Sequence, residues 1–197
     1  MKIVDLSQIL ENGMPVFPGD PKVKIEEIHT LEKEGWRLKY LQLSSHIGTH
    51  ADAPYHMDKN GDSLDNLPID RFIGETMLVS IDDEFSTAVG LAFSEGIIDE
   101  KVVERLKAAK PKFVVVGSDA TLDIEPERQL LRAEIITITD LVNMDRLPKN
   151  KPFMFYGVPL KIKDGDWFTD KSLRRIGLAD GQKSPRRVRN KNIQKGI

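Results

Sequence analysis

Three of the four histidines in this chain fall inside one stretch of thirteen residues, Ser44-Ser45-His46-Ile47-Gly48-Thr49-His50-Ala51-Asp52-Ala53-Pro54-Tyr55-His56, with an aspartate between the second and the third. Neutral imidazole and carboxylate are the donors a divalent metal takes, Zn²⁺ or Mn²⁺ being the usual candidates. The spacing says how the stretch must run. In a helix His46 and His50 would share a face, but Asp52 would point away from them, and Pro54 would break the helix from inside. In a strand His46, His50, Asp52 and His56 would all face one side, yet His46 and His50 would stand roughly 13 Å apart at about 3.3 Å per residue. That is too far to share an ion whose ligands each lie at about 2 Å. The chain must therefore bend between them, and Gly48 is the residue that permits it. The spacing predicts a strand ending near His46 and a turn at Gly48-Thr49. A short extended piece then brings His50 and Asp52 together, and Pro54 stiffens the exit so that His56 stays close. The competing reading is a polar strand end whose histidines are satisfied by hydrogen bonds. Three imidazoles and a carboxylate around one glycine bend favour a metal or catalytic site over it.

The run His46 to His56 reads H-x-G-T-H-x-D-x-P-x-H, which resembles the signature of the cyclase-like metal-dependent hydrolases, a family whose best-known members are bacterial kynurenine formamidases. The resemblance extends to Val4-Asp5-Leu6-Ser7 and to Met14-Pro15-Val16-Phe17-Pro18-Gly19-Asp20-Pro21. It is weaker in Gly117-Ser118-Asp119 and in Leu141-Val142-Asn143-Met144-Asp145, and runs to about residue 178. It implies a single mixed α/β domain over residues 1–180, a β-barrel-like core flanked by helices of the swivelling β/β/α kind. It also implies an amidohydrolase. His46, His50 and Asp52 would hold a divalent ion that activates water, and His56 would serve as general base or acid. Phe17 would line the substrate pocket, and Phe17 and Trp36 would give a substrate its aromatic contacts. The expected substrate is an aryl formamide such as N-formyl-kynurenine, cleaved to kynurenine and formate. Two other readings stay open: opening of a cyclic amide or lactone by the same attack, as an isatin hydrolase does, and a non-catalytic binding protein on the same fold. From the residues alone, Phe17 could equally be a core plug under its loop, and Trp36 either pocket or core.

The chain departs from the family downstream. Members with two metals carry a further histidine and glutamate twelve residues apart, and the matching positions here hold Arg128 and Asp140. Arginine stays protonated and cannot ligate. One ion, Zn²⁺ or Mn²⁺, is therefore expected rather than two, with Arg128 and Asp140 forming an ion pair where the second would sit. Relatives are commonly dimers or larger, so a homo-oligomer (dimer or tetramer) is expected.

The rest of the chain must position these groups. With 197 residues, 40% hydrophobic and 30% charged, it has the balance of a globular domain. Cysteine is absent, which excludes disulfides and thiolate metal sites. An acid at Asp5, where a signal peptide would be apolar, points to a cytoplasmic protein. The net charge of −2 gives no general affinity for nucleic acid, and no apolar run is long enough for a membrane span. Residues 181–197 hold six basic side chains and no acid, read as a mobile, solvated tail. Strands are predicted over Lys2 to Ser7, Val23 to Ile28 (half-buried), Arg37 to Ser45, Thr76 to Ile81, Ile135 to Ile138, Lys151 to Ile162 and Ser172 to Leu178. Phe113 to Val116 reads as a strand buried on both faces, ending at Gly117-Ser118-Asp119. Helices are predicted from Glu100 to Ala109, capped by Asp99, and from Glu125 to Ala133, with Leu130 and Leu131 inward. Lys163-Asp164-Gly165-Asp166 reads as a hairpin turn.

Overall fold

The apolar run Phe113–Val116 lies at the middle of the fold, and its alternation divides the core in two. Phe113 and Val115 join one buried cluster with Ala51, Ala53, Ala92, Ile136, Ile138 and Phe155. Val114 and Val116 join the other, with Leu91, Phe93, Val103, Leu106 and Leu130. A strand covered on both sides can be apolar at every position.

The computed structural model describes residues 2–149, 151–169 and 173–176. In chain order its strands are β1 (Lys2–Asp5), β2 (Lys24–His29), β3 (Leu38–Gln42), β4 (His50–Asp52), β5 (Ile73–Leu78), β6 (Gly90–Ile97), β7 (Phe113–Thr121), β8 (Ile136–Leu141), β9 (Phe153–Tyr156), β10 (Trp167–Thr169) and β11 (Leu173–Ile176). Helix α1 (Glu100–Ala109) connects β6 to β7, and α2 (Ile124–Arg132) connects β7 to β8. Among the described residues nine strands make one sheet in the order β1-β11-β9-β5-β6-β7-β8-β4-β10, and β2 and β3 pair separately. The run β5-β6-β7-β8 is parallel; the flanking pairs are antiparallel. The sheet curls. Val142 N, just past β8, donates to Leu6 O just past β1 at 2.9 Å, although the two strands stand far apart in the hydrogen-bonded order. The fold is therefore the expected mixed α/β domain, a barrel-like sheet with helices on its flank.

Both helices form where the sequence places them. The Asp99 side chain accepts from Val102 N at 3.0 Å, capping α1, and Val102, Val103, Leu106 and Ala109 are its buried stripe. α2 buries Leu130 and Leu131. Several strands differ from expectation. β2 and β3 are mostly exposed; they pair with each other, and the Asn12 side chain bonds the Ile25 backbone of β2. β3 ends at Gln42, so the approach to His46 is irregular. β6 was not anticipated, and β7 continues through Gly117-Ser118-Asp119 to Thr121. β9 stops at Tyr156. The strand after the turn at Lys163-Asp164 pairs with β4 rather than with β9, so that turn closes no hairpin. The basic segment 181–197 lies outside the described residues. No helix among the described residues is long and apolar enough to cross a membrane.

Candidate metal centre

β4 is three residues long and pairs on both sides, its register setting His50 opposite Thr139 and Asp52 opposite Thr137 on β8. Alternation puts His50, Asp52, Thr137 and Thr139 on one face of the sheet. It turns Ala51 and Ala53, each 0% exposed, into the core on the other. The bend before β4 is the predicted one. Gly48 sits at φ +59°, in the left-handed region that glycine enters without penalty. Thr49 staples the bend: its hydroxyl accepts from Gln8 N at 2.9 Å and donates to Asp140 O at 2.8 Å. After β4, Pro54–His56 form one 3-10 turn with proline at its start, which returns His56 toward His46.

The four motif side chains converge. His46 Nδ1 lies 3.6 Å from Asp52 Oδ1, and His50 Nε2 lies 3.6 Å from Asp52 Oδ2. One ligating atom from each of His46, His50 and Asp52 falls within 4.8 Å of the others. His56 joins through His46, with 3.2 Å between His46 Nε2 and His56 Nδ1. Gly48 O lies 2.6 Å from His50 Nδ1, which must donate to it. The proton of neutral His50 is thereby fixed on Nδ1, and the Nε2 lone pair faces Asp52 and the Thr139 hydroxyl, 3.0 Å away.

Electrostatics match a cation centre. Burial, then the neighbouring His56 and His50, push the His46 imidazole down to about 2. Burial also lowers His56, against the pull of Asp166. Asp52 is pushed well up, first by burial and then, against hydrogen bonds from Glu127 and Thr137, by the Asp166 and Asp140 charges. Its Oδ1 is buried without a hydrogen-bond partner, a costly arrangement for a carboxylate. Imidazoles that resist protons beside a carboxylate lacking a counter-charge are what a metal site looks like before its ion is counted. The donor set, two imidazole nitrogens and one carboxylate, fits a zinc-class ion with a position left open.

The site opens into a cavity of about 710 Å³. His46, His50 and His56 stand in its wall, with Phe17, Met57 and Leu122 among its apolar lining. Phe17 is thus in the pocket and 57% exposed, not a core plug. Trp36 is not among the lining residues. It packs edge to face on His29, 5.5 Å between ring centroids, beside the β2–β3 pair. The expected Arg128–Asp140 ion pair does not form. Arg128 Nε instead holds Glu125 Oε2 at 2.9 Å, one turn back on α2, and Asp140 Oδ2 approaches His50 Nδ1 at 3.9 Å. Two acids that sequence reasoning passed over do reach the site. Glu127 Oε1 accepts from Thr137 Oγ1 at 2.8 Å, and its carboxyl is raised to about 8 by burial first and by the Asp52 charge second. Asp166 Oδ2 lies 3.5 Å from His56 Nδ1, delivered by a backbone bond from Ala53 N to Asp166 O of 2.8 Å.

Residues 4–146 match the sequence profile described as "Putative cyclase". The chain belongs to the cyclase family. It is 26% identical over 200 residues to a kynurenine formamidase of Salinibacter ruber, covering 84% of this chain and 93% of that one. It is 36% identical over 80 residues to a kynurenine formamidase of Maricaulis maris, covering 40% and 38%. The fold is similar to that of isatin hydrolase A from Labrenzia aggregata bound to benzyl benzoate, with a TM-score of 0.73 at 20% identity, covering 88% of this chain and 93% of that one. It is also similar to the structure of a predicted metal-dependent hydrolase from Bacillus stearothermophilus, with a TM-score of 0.72 at 20% identity, covering 88% and 97%.

Proposed function

We propose that the chain is a metal-dependent amidohydrolase that cleaves a small aryl formamide, N-formyl-kynurenine being the first substrate to test, to the aryl amine and formate. One observation carries this reading: His46, His50 and Asp52 meet around a buried, unpartnered carboxylate oxygen at the wall of a cavity that also holds His56 and Phe17. The relatives named as kynurenine formamidases support the substrate class.

One divalent ion, Zn²⁺ or Mn²⁺, would be held by His46, His50 and Asp52 and, when bound, supplies a Lewis acid and a water acidic enough to ionise near neutral pH. The chain's own groups do the rest. Gly48 O keeps the His50 proton on Nδ1, so Nε2 is always the ligand nitrogen. His46, ligating through Nδ1, turns its Nε2 to His56 Nδ1 at 3.2 Å and so orients that ring. His56 takes a proton from the attacking water as general base and, as imidazolium, hands that proton to the leaving nitrogen, which returns the ring to neutral for the next cycle. Burial, which lowers His56, keeps it neutral and able to carry out that exchange. Phe17 offers an aromatic face to the aryl ring.

The test is turnover of N-formyl-kynurenine by protein stripped with chelator and reloaded with one equivalent of Zn²⁺ or Mn²⁺. Formate release, with isatin and a simple lactone run alongside, is expected to favour the formamide. His56→Ala should lower kcat by about 10² or more while the ion stays bound. Absence of ion uptake, or turnover indifferent to His56, overturns the reading. A homo-oligomer is proposed with it, on the ground that Trp36, Leu38, Tyr40 and Leu41 of the β2–β3 hairpin are left exposed by the single chain. Sedimentation velocity tests it, a monomer refuting it.

A further inference from the structure

His46 is the shared wall of two ligand sets. Its Nδ1 faces Asp52 and His50. Its Nε2 faces a second set, 3.2 Å from His56 Nδ1, which is in turn 3.5 Å from Asp166 Oδ2. In this set too, one ligating atom from each of His46, His56 and Asp166 lies within 4.8 Å of the others. Two ligands each about 2.1 Å from a tetrahedral ion stand about 3.4 Å apart. The 3.2 Å and 3.5 Å edges fit that spacing as closely as those of the first set do. Two imidazoles and a carboxylate from three separate stretches, the bend before β4, the 3-10 turn and the loop before β10, are a zinc-class donor set. The sets differ in depth. Asp52 and His50 side chains are 1% and 11% exposed, whereas Asp166 and His56 are 41% and 19% exposed.

We propose that His46 Nε2, His56 Nδ1 and Asp166 form a second, weaker site for a zinc-class cation, which shuts the enzyme off when filled because it takes the imidazole that moves the proton. Binding itself stands on the geometry alone; only the inhibitory consequence rests on the proposed function. With the first ion on His46 Nδ1, coordination at Nε2 releases that nitrogen's proton to solvent. This release, the repulsion between two cations on one ring and the greater exposure all make the second uptake the weaker one. Excess zinc therefore competes with chemistry at His56 rather than with the ion that supports it.

Calorimetric titration of the chelator-stripped full chain with zinc chloride tests this. Two uptakes per chain are expected, the second at least about tenfold weaker, and Asp166→Asn should weaken the second by a further tenfold or so, as loss of a ligand-shell group does. The first should stay within about threefold of wild type. In the formamidase assay, activity should rise over the first equivalent and fall as the second site fills, and in Asp166→Asn the fall should move to about tenfold higher zinc. A single uptake in the wild-type protein overturns the proposal whether or not the variant folds, as does an Asp166→Asn protein that folds and keeps the second uptake at wild-type affinity. Two uptakes without turnover would instead refute the proposed function and leave the second site standing.

Discussion

Replacing Glu127 by Gln should make the ion-free protein more stable, and only at neutral to alkaline pH. The Glu127 carboxyl is raised from 4.5 to about 8, by burial first and by the charge of Asp52 second. A raised acid contributes stability that is fully present below its unfolded-state value and is lost as pH climbs through the folded value. Ion-free wild type should therefore weaken between pH 4.5 and 8. That interval, at about 1.4 kcal/mol per pH unit, sets a ceiling of about 5 kcal/mol. Asp52 shares the same pocket of charge, so about 2–3 kcal/mol is the working figure for Glu127 alone. Glutamine keeps a carbonyl acceptor for the Thr137 hydroxyl, held at 2.8 Å in the wild type, and brings no charge. In a chain of 197 residues each kcal/mol moves the melting temperature by about 2–4 °C. Melts in excess chelator should then show Glu127→Gln about 5–10 °C above wild type at pH 8 and level with it at pH 4.5. With saturating zinc, which supplies the missing positive charge, the advantage at pH 8 should vanish or reverse. Equal melting temperatures at pH 8, or an advantage larger at pH 4.5 than at pH 8, would refute the account of Glu127 as a carboxylate held next to Asp52.

Three further outcomes follow from the geometry. Gly48→Ala forces an L-residue into φ +59°, with its Cβ 3.0 Å from Leu10 Cδ2. It should cost about 1–2 kcal/mol and weaken ion uptake, with Gly48→Asn milder in both, by thermal melts and zinc titration. Gly90→Ala would place Cβ 2.2 Å from Phe113 Cε2. It should cost about 1–3 kcal/mol in urea denaturation, and Phe113→Leu in the same chain should recover part of that. Arg128→Ala breaks a half-exposed pair with Glu125 and removes a charge that helps lower His56. It should change stability by less than about 1 kcal/mol and leave the first zinc uptake unaltered, whereas an ion-linked role for Arg128 would show as an altered isotherm.

The bend at Gly48 and the even-numbered face of His50 and Asp52 were legible because they follow from two periodicities and one permissive residue, with no reference to distant chain. The central strand and α1 were legible for the same reason: an unbroken β-branched run, and an aspartate cap ahead of an apolar stripe. What failed was whatever depends on a partner far along the chain. Lys163-Asp164-Gly165-Asp166 has hairpin chemistry, but the strand it launches finds β4, and that pairing is what carries Asp166 to His56. Trp36 looked like pocket or core by its type, yet the β2–β3 pair is mostly exposed, and the ring packs on His29.

The most instructive miss lay inside one helix. Motif alignment drew attention to Arg128, but a helix is turned by its apolar residues, and α2 buries Leu130 and Leu131. Side chains three and four positions apart share a face, and Glu127 precedes those two leucines by three and four. It was therefore the acid on the buried stripe, a position carboxylates almost never hold without a partner. β8 offered the complementary half. In Ile136-Thr137-Ile138-Thr139 the isoleucines enter one core cluster, so the threonines must line the other face, where Thr137 is fully buried and bonds Glu127. A carboxylate on an apolar helix face opposite a threonine stripe is a sequence pattern with one economical explanation, a polar centre between the two elements. The helix therefore points at the site through Glu127, while Arg128 pairs with Glu125 and acts on His56 through its charge.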